Sequence, residues 1–108
     1  MSITPAVWNW KNHHRGSTFT PKKIKLNIDL TGAVVTCQIM AAGGSSVIQE
    51  WKTGVNITVL NLATGDIVLN QINEFKPVAG NYVWDLQVKF ANGTAQTYLK
   101  GTQKVDAR

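Results

Sequence analysis

The chain has 108 residues, 44% of them hydrophobic and 16% charged, and its formal net charge is +5. This length fits one domain that buries about 65% of its unfolded surface, enough for a core without cross-links. The composition excludes a disordered chain, and no run reaches the ~20 apolar residues of a membrane helix. The N-terminus lacks the basic start and apolar stretch of a secretion signal, so we expect a cytoplasmic protein unless it leaves within a larger assembly.

The first residues are aromatic and polar, unlike the rest of the chain. We therefore separate an N-terminal arm or edge strand over residues 1–15 from a single β-sandwich domain over residues 16–108. Trp8 and Trp10 lie on the same side of any strand formed in the arm. Such a pair can pack on its own sandwich, contact a partner, or form a platform for sugar rings, because tryptophan has a large apolar face with a polar handle. These three interpretations remain open.

Polar and apolar residues alternate from Lys22 to Leu30, which predicts a half-buried strand. Lys23 and Lys25 fall on its wet face. A solvated face is the simplest interpretation, and contact with an acidic partner is the alternative. The other positive charges are spread along the chain, so nucleic acid is not favoured as a partner.

Further short strands follow, separated by turn signals such as Asn92-Gly93. The predicted strands are Val34–Ala41, Val47–Lys52, Ile57–Asn61, Ile67–Leu69, Gly80–Phe90 and Ala95–Val105. Residues 70–76 could form a single helical turn, and Gly101 is expected to be a bulge or bend in the last strand. About seven or eight strands with turns every ~8 to 12 residues predict an all-β fold, an immunoglobulin-like antiparallel β-sandwich.

The strand that starts at Gly80 is the most informative segment of the chain. One face of this strand carries only large apolar or aromatic side chains, namely Tyr82, Trp84, Leu86, Val88 and Phe90. Alternation on this scale predicts a central strand that packs against a second sheet. Tyr82 follows Gly80 by two residues, a spacing that resembles the tyrosine corner of immunoglobulin-like sandwiches. We assign Gly80, Tyr82, Trp84 and Leu86 to the structural corner and core.

No group of residues in the sequence predicts catalysis. Cys37 shares the apolar side of its strand with Val35 and Ile39, so we interpret it as a small buried hydrophobe. The six carboxylates are not paired on one face, and the adjacent His13 and His14 would point to opposite sides of a strand. We therefore expect no catalytic, cofactor-binding or metal-binding residue, and no small-molecule substrate.

Several short segments, taken in order, resemble a family of small bacteriophage and prophage virion proteins related to the N-terminal domain of phage upper-baseplate proteins. The segments are Gly16–Phe19, Asp29–Ala33, Gly65–Leu69, Gly80–Leu86, Asn92–Thr94 and Leu99–Gly101. They are similar to the family's Gly-Asp-Thr-Phe start, its Asp-Leu-Thr-Gly-Ala step, its Gly-x-Ile-x-Leu segment, its Gly-Thr-Tyr-Val-Tyr-Asp-Leu strand and its closing hairpin. Ser17 replaces the family's acid, and Trp84 replaces its second tyrosine. The resemblance spans residues 15–106.

The resemblance implies a non-enzymatic structural protein, a tail or baseplate module that mediates protein–protein contacts. Its partners would be other virion subunits, including copies of itself, and it would be found in the virion and, during assembly, in the bacterial cytoplasm. Candidate partner-contact residues are Trp8, Trp10, Lys23 and Lys25. The alternative function is a carbohydrate-binding module that uses exposed tryptophans.

Overall fold

The computed structural model describes residues 6–10, 13–14, 18–42, 47–71 and 79–106. Every regular element in these ranges is a strand. The strands are β1 Ala6–Val7, β2 His13–His14, β3 Lys22–Lys25, β4 Val34–Ala41, β5 Val47–Lys52, β6 Ile57–Asn61, β7 Asp66–Leu69, β8 Gly80–Lys89 and β9 Ala95–Asp106. The prediction of an all-β sandwich is confirmed, and β4, β5 and β6 have the bounds that the sequence predicts.

The strands form two sheets. The large sheet has the order β1-β9-β8-β4-β5, with β2 also on β9, and the small sheet has the order β3-β7-β6. β1 and β2 run parallel to β9, and the other pairs are antiparallel. The N-terminal residues therefore cover one edge of the large sheet, beside the last strand of the chain. The described part of residues 1–15 lies at this edge as β1 and β2, and the division into an arm and a domain stays a prediction.

Large apolar side chains fill the space between the sheets. The buried hydrophobic residues are Trp10, Phe19, Ile24, Leu30, Val35, Cys37, Ile39, Trp51, Ile57, Ile67, Leu69, Tyr82, Trp84, Leu86, Val88 and Val105. β8 supplies four of these residues because it lies between β9 and β4, and its side chains alternate between the interior and the outer face. Phe90, the last residue predicted on this face, is only half-buried against the cluster.

The first long strand is shorter than predicted. β3 ends at Lys25, because Asn27 has a φ of +58° and turns the backbone out of the extended conformation. Asparagine tolerates this left-handed region better than most residues. Beyond β3 the amide of Leu26 donates to the carbonyl of Gly65, and Leu30 reaches the core. Buried and exposed side chains thus continue to alternate as far as Leu30, although the strand itself ends at Lys25.

Two segments of the family resemblance form turns held by short side chains. The hydroxyl and amide of Thr31 both donate to the Asp29 carboxylate, at 2.7 Å and 2.9 Å, and these bonds lower the pKa of Asp29. In the hairpin between β8 and β9, the amide of Thr94 donates to Asn92 Oδ1 at 2.9 Å. The predicted Asn-Gly turn is confirmed, and Gly93 adopts a φ of +90° there.

The bulge in β9 lies at a different residue from the predicted one. Leu99 pairs with Leu86 and Thr97 pairs with Gln87, so Tyr98 is the extra residue. Gly101 stays in register opposite Trp84. The helical turn predicted over residues 70–76 falls largely outside the described residues.

Candidate interaction site

The N-terminal segment lies along β9 and is held there by backbone and side-chain bonds. The amides of Trp8 and Trp10 donate to the carbonyls of Lys100 and Thr102, at 2.9 Å and 3.0 Å. Asn9 Oδ1 accepts from both the amide and the hydroxyl of Thr102, at 3.1 Å and 3.2 Å. These bonds fix the register of the segment and bring its tryptophans to the end of the sandwich.

Four tryptophans and one phenylalanine meet at this end, and we call them the tryptophan cluster: Trp8, Trp10, Trp51, Trp84 and Phe19. Trp10 stacks on Trp84 with ring centroids 4.2 Å apart and an angle of 20° between the planes. Trp8 meets both rings edge-on, at 6.1 Å and 5.9 Å. The indole N–H of Trp84 donates to the carbonyl of Trp8 at 3.0 Å. The arm and the core strand are therefore joined by both packing and a hydrogen bond.

Gly101 makes this close approach possible. A Cβ atom at this position would lie 1.9 Å from the Trp8 carbonyl oxygen and 2.7 Å from the Trp84 indole nitrogen. No side chain fits there while the N-terminal segment is in place. A lone glycine in a strand signals either a bulge or a close backbone contact, and here it marks the contact.

Lys22 links the small sheet to the tryptophan cluster. Its ammonium lies 5.0 Å from the Trp10 ring centroid, 5.3 Å from Phe19 and 5.9 Å from Trp8. The charge is attracted to the negative faces of the rings, a contact worth about 0.5–2 kcal/mol. The sequence places Lys22 among the lysines of the first long strand but gives no sign that Trp8 and Trp10 of the N-terminal segment are its partners.

Trp10 packs inside its own sandwich in the described fold, and its contact with a partner stays a prediction. Only 5% of Trp10 is exposed, because its ring is enclosed by the cluster. Trp8 remains 39% exposed, so it alone of the pair is available at the surface. The planes of the two rings are 79° apart, and they do not form a flat platform.

Lys23 and Lys25 lie on the outer face of the small sheet, as the alternation predicts. Together with Leu60 and Asp66 they line a shallow groove of about 350 Å³. Leu60 is 57% exposed, which leaves an apolar side chain beside two cationic ones. This groove shares no residue with the tryptophan cluster, and no local pattern indicates that Leu60 belongs to it.

A second groove lies on the outer face of the large sheet and measures about 390 Å³. Val7, Met40 and Val83 supply apolar surface, and Asp85 and Lys100 supply opposite charges on neighbouring strands. Asp85 is half-buried, and this burial raises its pKa. The sequence places Asp85 on the wet face of β8, but alternation alone does not reveal that its neighbours cover it.

The corner residues pack as a unit at the start of β8. Tyr82 is buried, and a Cβ atom on Gly80 would lie 3.8 Å from the Tyr82 ring. The Tyr82 ring therefore lies close to Gly80, whereas a tyrosine corner is defined by a bond from the hydroxyl to the backbone. The hydrogen bond expected of the hydroxyl stays a prediction.

Cys37 is fully buried, and desolvation, with a smaller effect from the Asp85 charge, raises its thiol pKa far above the usual range. The interpretation of Cys37 as a buried hydrophobe is confirmed. Among residues 6–10, 13–14, 18–42, 47–71 and 79–106, no three His, Cys, Asp or Glu side chains form a metal-ligand group. The same residues contain no helix that is long and apolar enough to cross a membrane.

The comparisons with known proteins concern the fold. No protein-family model matches the chain, and no curated protein sequence matches it. The crystal structure of CopC from Methylosinus trichosporium OB3b is similar over 90% of this chain and 85% of its own, with a TM-score of 0.51 and 14% identity. The structure of murine CRIg aligns over 100% of this chain and 97% of its own, with a TM-score of 0.41 and 15% identity. The chain is an immunoglobulin-like β-sandwich.

Proposed function

We propose that this chain is a non-enzymatic structural protein of a phage or prophage virion, a tail or baseplate module that joins neighbouring subunits. The observation that carries the proposal is the ordered series of family-like segments. Three of them form the Asp29–Thr31 turn, the core strand through Tyr82 and Trp84, and the Asn92–Thr94 hairpin. These segments build the scaffold of the sandwich. The resemblance therefore implies an assembly role for this chain and identifies no catalytic residue.

The distribution of apolar surface supports a role in protein contacts. The interior is filled by aromatic and branched side chains, and the grooves of about 350 and 390 Å³ are shallow and lie on outer faces. Large hydrophobic side chains remain half or more exposed at Val7, Val55, Leu60 and Leu62. Contact with neighbouring subunits would bury this surface.

The proposed partners are other virion subunits and further copies of this chain. Subunits related by rotation in a ring place one patch against a different patch of the next copy, and the two grooves lie on opposite sheets. The proposed location is the virion, preceded by the bacterial cytoplasm during assembly. The proposal includes no cofactor, no small-molecule substrate and no membrane.

Co-expression with the products of the flanking genes tests the proposal. We expect the chain to co-purify as a complex of defined mass, measured by light scattering. Replacing Lys23 and Lys25 by glutamate should weaken that complex, because the variant reverses the charge beside Leu60 in the small-sheet groove. Lys104→Glu is the control, since this exposed lysine pairs with Asp106 outside both grooves. If the wild-type chain joins no such complex, the assembly role is refuted. If the double variant forms the same complex as the wild type, the small-sheet groove takes no part in the assembly.

The carbohydrate-binding alternative gains no support from the tryptophans. A sugar platform needs an exposed, flat aromatic surface, whereas Trp10 is buried and Trp8 meets it edge-on. A glycan array separates the two functions. Binding by the wild type that is lost in Trp8→Ala would favour the carbohydrate-binding function over the assembly role.

A further inference from the structure

The edge of the large sheet opposite the N-terminal segment is strand β5. β5 pairs with β4 on one side, where Gln38 lies opposite Glu50 and Cys37 opposite Trp51. Among the described strands, none pairs with its other side. A strand in this position presents free N–H and C=O groups and is a template for the addition of another strand. The outward N–H and C=O groups of β5 therefore need other hydrogen-bond partners.

Asn56 occupies the place that a neighbouring strand would take. Its Oδ1 accepts from the Lys52 amide at 2.6 Å, and its Nδ2 donates to the Glu50 carbonyl at 2.9 Å. Its own backbone amide donates to the Lys52 carbonyl at 3.0 Å. A carboxamide has the same donor and acceptor as a peptide group, so one residue satisfies three outward groups of the edge. The C-terminal half of β5 is thereby closed.

The groups that Asn56 covers are complementary to those of a second copy. Glu50 and Lys52 both turn their backbone groups outward, as their bonds to Asn56 demonstrate. In an antiparallel pair of β5 strands related by a two-fold axis at Trp51, Glu50 of each copy lies opposite Lys52 of the other. Directly opposed residues with outward groups form the hydrogen-bonded pairs of such a ladder. The exposed carboxylate and ammonium then meet across the pair, twice per dimer.

We propose that β5 is a self-association edge of this chain and that the Asn56 carboxamide holds it closed. A second copy adds its β5 only after the carboxamide has left the Lys52 amide and the Glu50 carbonyl. The inference rests on these hydrogen bonds and on the two opposite charges. It does not depend on the virion assignment.

The test compares the mass of Asn56→Ala with that of the wild type over a range of concentrations, by light scattering. Removal of both side-chain bonds should give a species of double the wild-type mass at high concentration. Asn92→Ala is the matched control, because it also deletes an asparagine that bonds a backbone amide in a turn, but away from any edge. Amide exchange supplies a second readout: the Lys52 amide should exchange faster in the dilute variant and regain protection on concentration.

Charge reversal distinguishes the proposed pairing from nonspecific aggregation. In the Asn56→Ala background, Glu50→Lys should return the mass to the wild-type value, because position 50 of each copy would then place a positive charge opposite Lys52 of the other copy. Adding Lys52→Glu should restore the doubled mass. If Asn56→Ala does not fold, Asn56→Asp keeps the acceptor for the Lys52 amide, removes the donor to Glu50, and is measured in the same way. A folded variant that exposes the Lys52 amide but never exceeds the wild-type mass would overturn the proposal. The proposal also fails if the Lys52 amide exchanges as slowly in Asn56→Ala as in the wild type.

Discussion

Replacing Gly101 by alanine should detach the N-terminal segment from the sheet. The new methyl group would lie 1.9 Å from the Trp8 carbonyl oxygen and 2.7 Å from the Trp84 indole nitrogen, far inside van der Waals contact. Overpacking of this kind costs about 1–3 kcal/mol, and the loss of the Trp84–Trp8 hydrogen bond adds about 1 kcal/mol. We therefore expect Gly101→Ala to lower the free energy of unfolding by at least about 2–4 kcal/mol, because the exposure of Trp10 adds to these two contributions.

Urea unfolding followed by tryptophan fluorescence measures this loss. The native emission of the variant should also shift to the red, because a displaced segment exposes Trp10, which is 5% exposed in the wild type. Lys100→Ala is the control: this exposed neighbour contacts the segment through its carbonyl, so the change should stay within about 0.5 kcal/mol. If Gly101→Ala matches the control in stability and keeps the wild-type emission, the described packing of Trp8 on β9 is wrong.

Three further substitutions test the core, the corner and the outer face of β8. Trp84→Ala should cost about 3–5 kcal/mol in urea unfolding, because it removes a buried ring that stacks on Trp10, and a negligible loss would contradict the core assignment. Tyr82→Phe should cost about 1 kcal/mol by the same assay if the hydroxyl makes the corner bond, and no loss would remove that bond from the account. Asp85→Asn should stabilise the chain at neutral pH, since burial raises the pKa of Asp85 in the folded state. The wild type should accordingly gain stability as the pH falls from above the raised pKa of the folded state towards the pKa of Asp85 in the unfolded chain. If the stability of Asp85→Asn changes with pH by the same slope, another group causes the gain.

Most of the fold could be predicted because the information is local. Alternation over four core positions in β8 and over β4 is visible in the sequence, and the structure buries Tyr82, Trp84, Leu86 and Val88 as predicted. The alternation misleads where a single residue changes the backbone. Asn27, with a φ of +58°, ends β3 while burial continues to alternate beyond it.

The candidate site could be predicted only in part, because its contacts join distant parts of the chain. Trp10 and Trp84 stack although 74 positions separate them (84 minus 10), and no local pattern reports that pairing. A glycine at position 101 is compatible with a bulge or with a close backbone contact, and only the position of the Trp8 backbone distinguishes the two. Asn56 looks like an ordinary turn residue, since its bonds to β5 depend on which side of the strand is left uncovered.

Mass spectrometry of gradient-purified particles from a phage or prophage that carries this gene tests whether the chain is a virion protein. We expect the chain to be present in the particles, at a constant copy number relative to the major tail protein after repeated purification. Particles that are complete and infectious but contain none of this chain would contradict it.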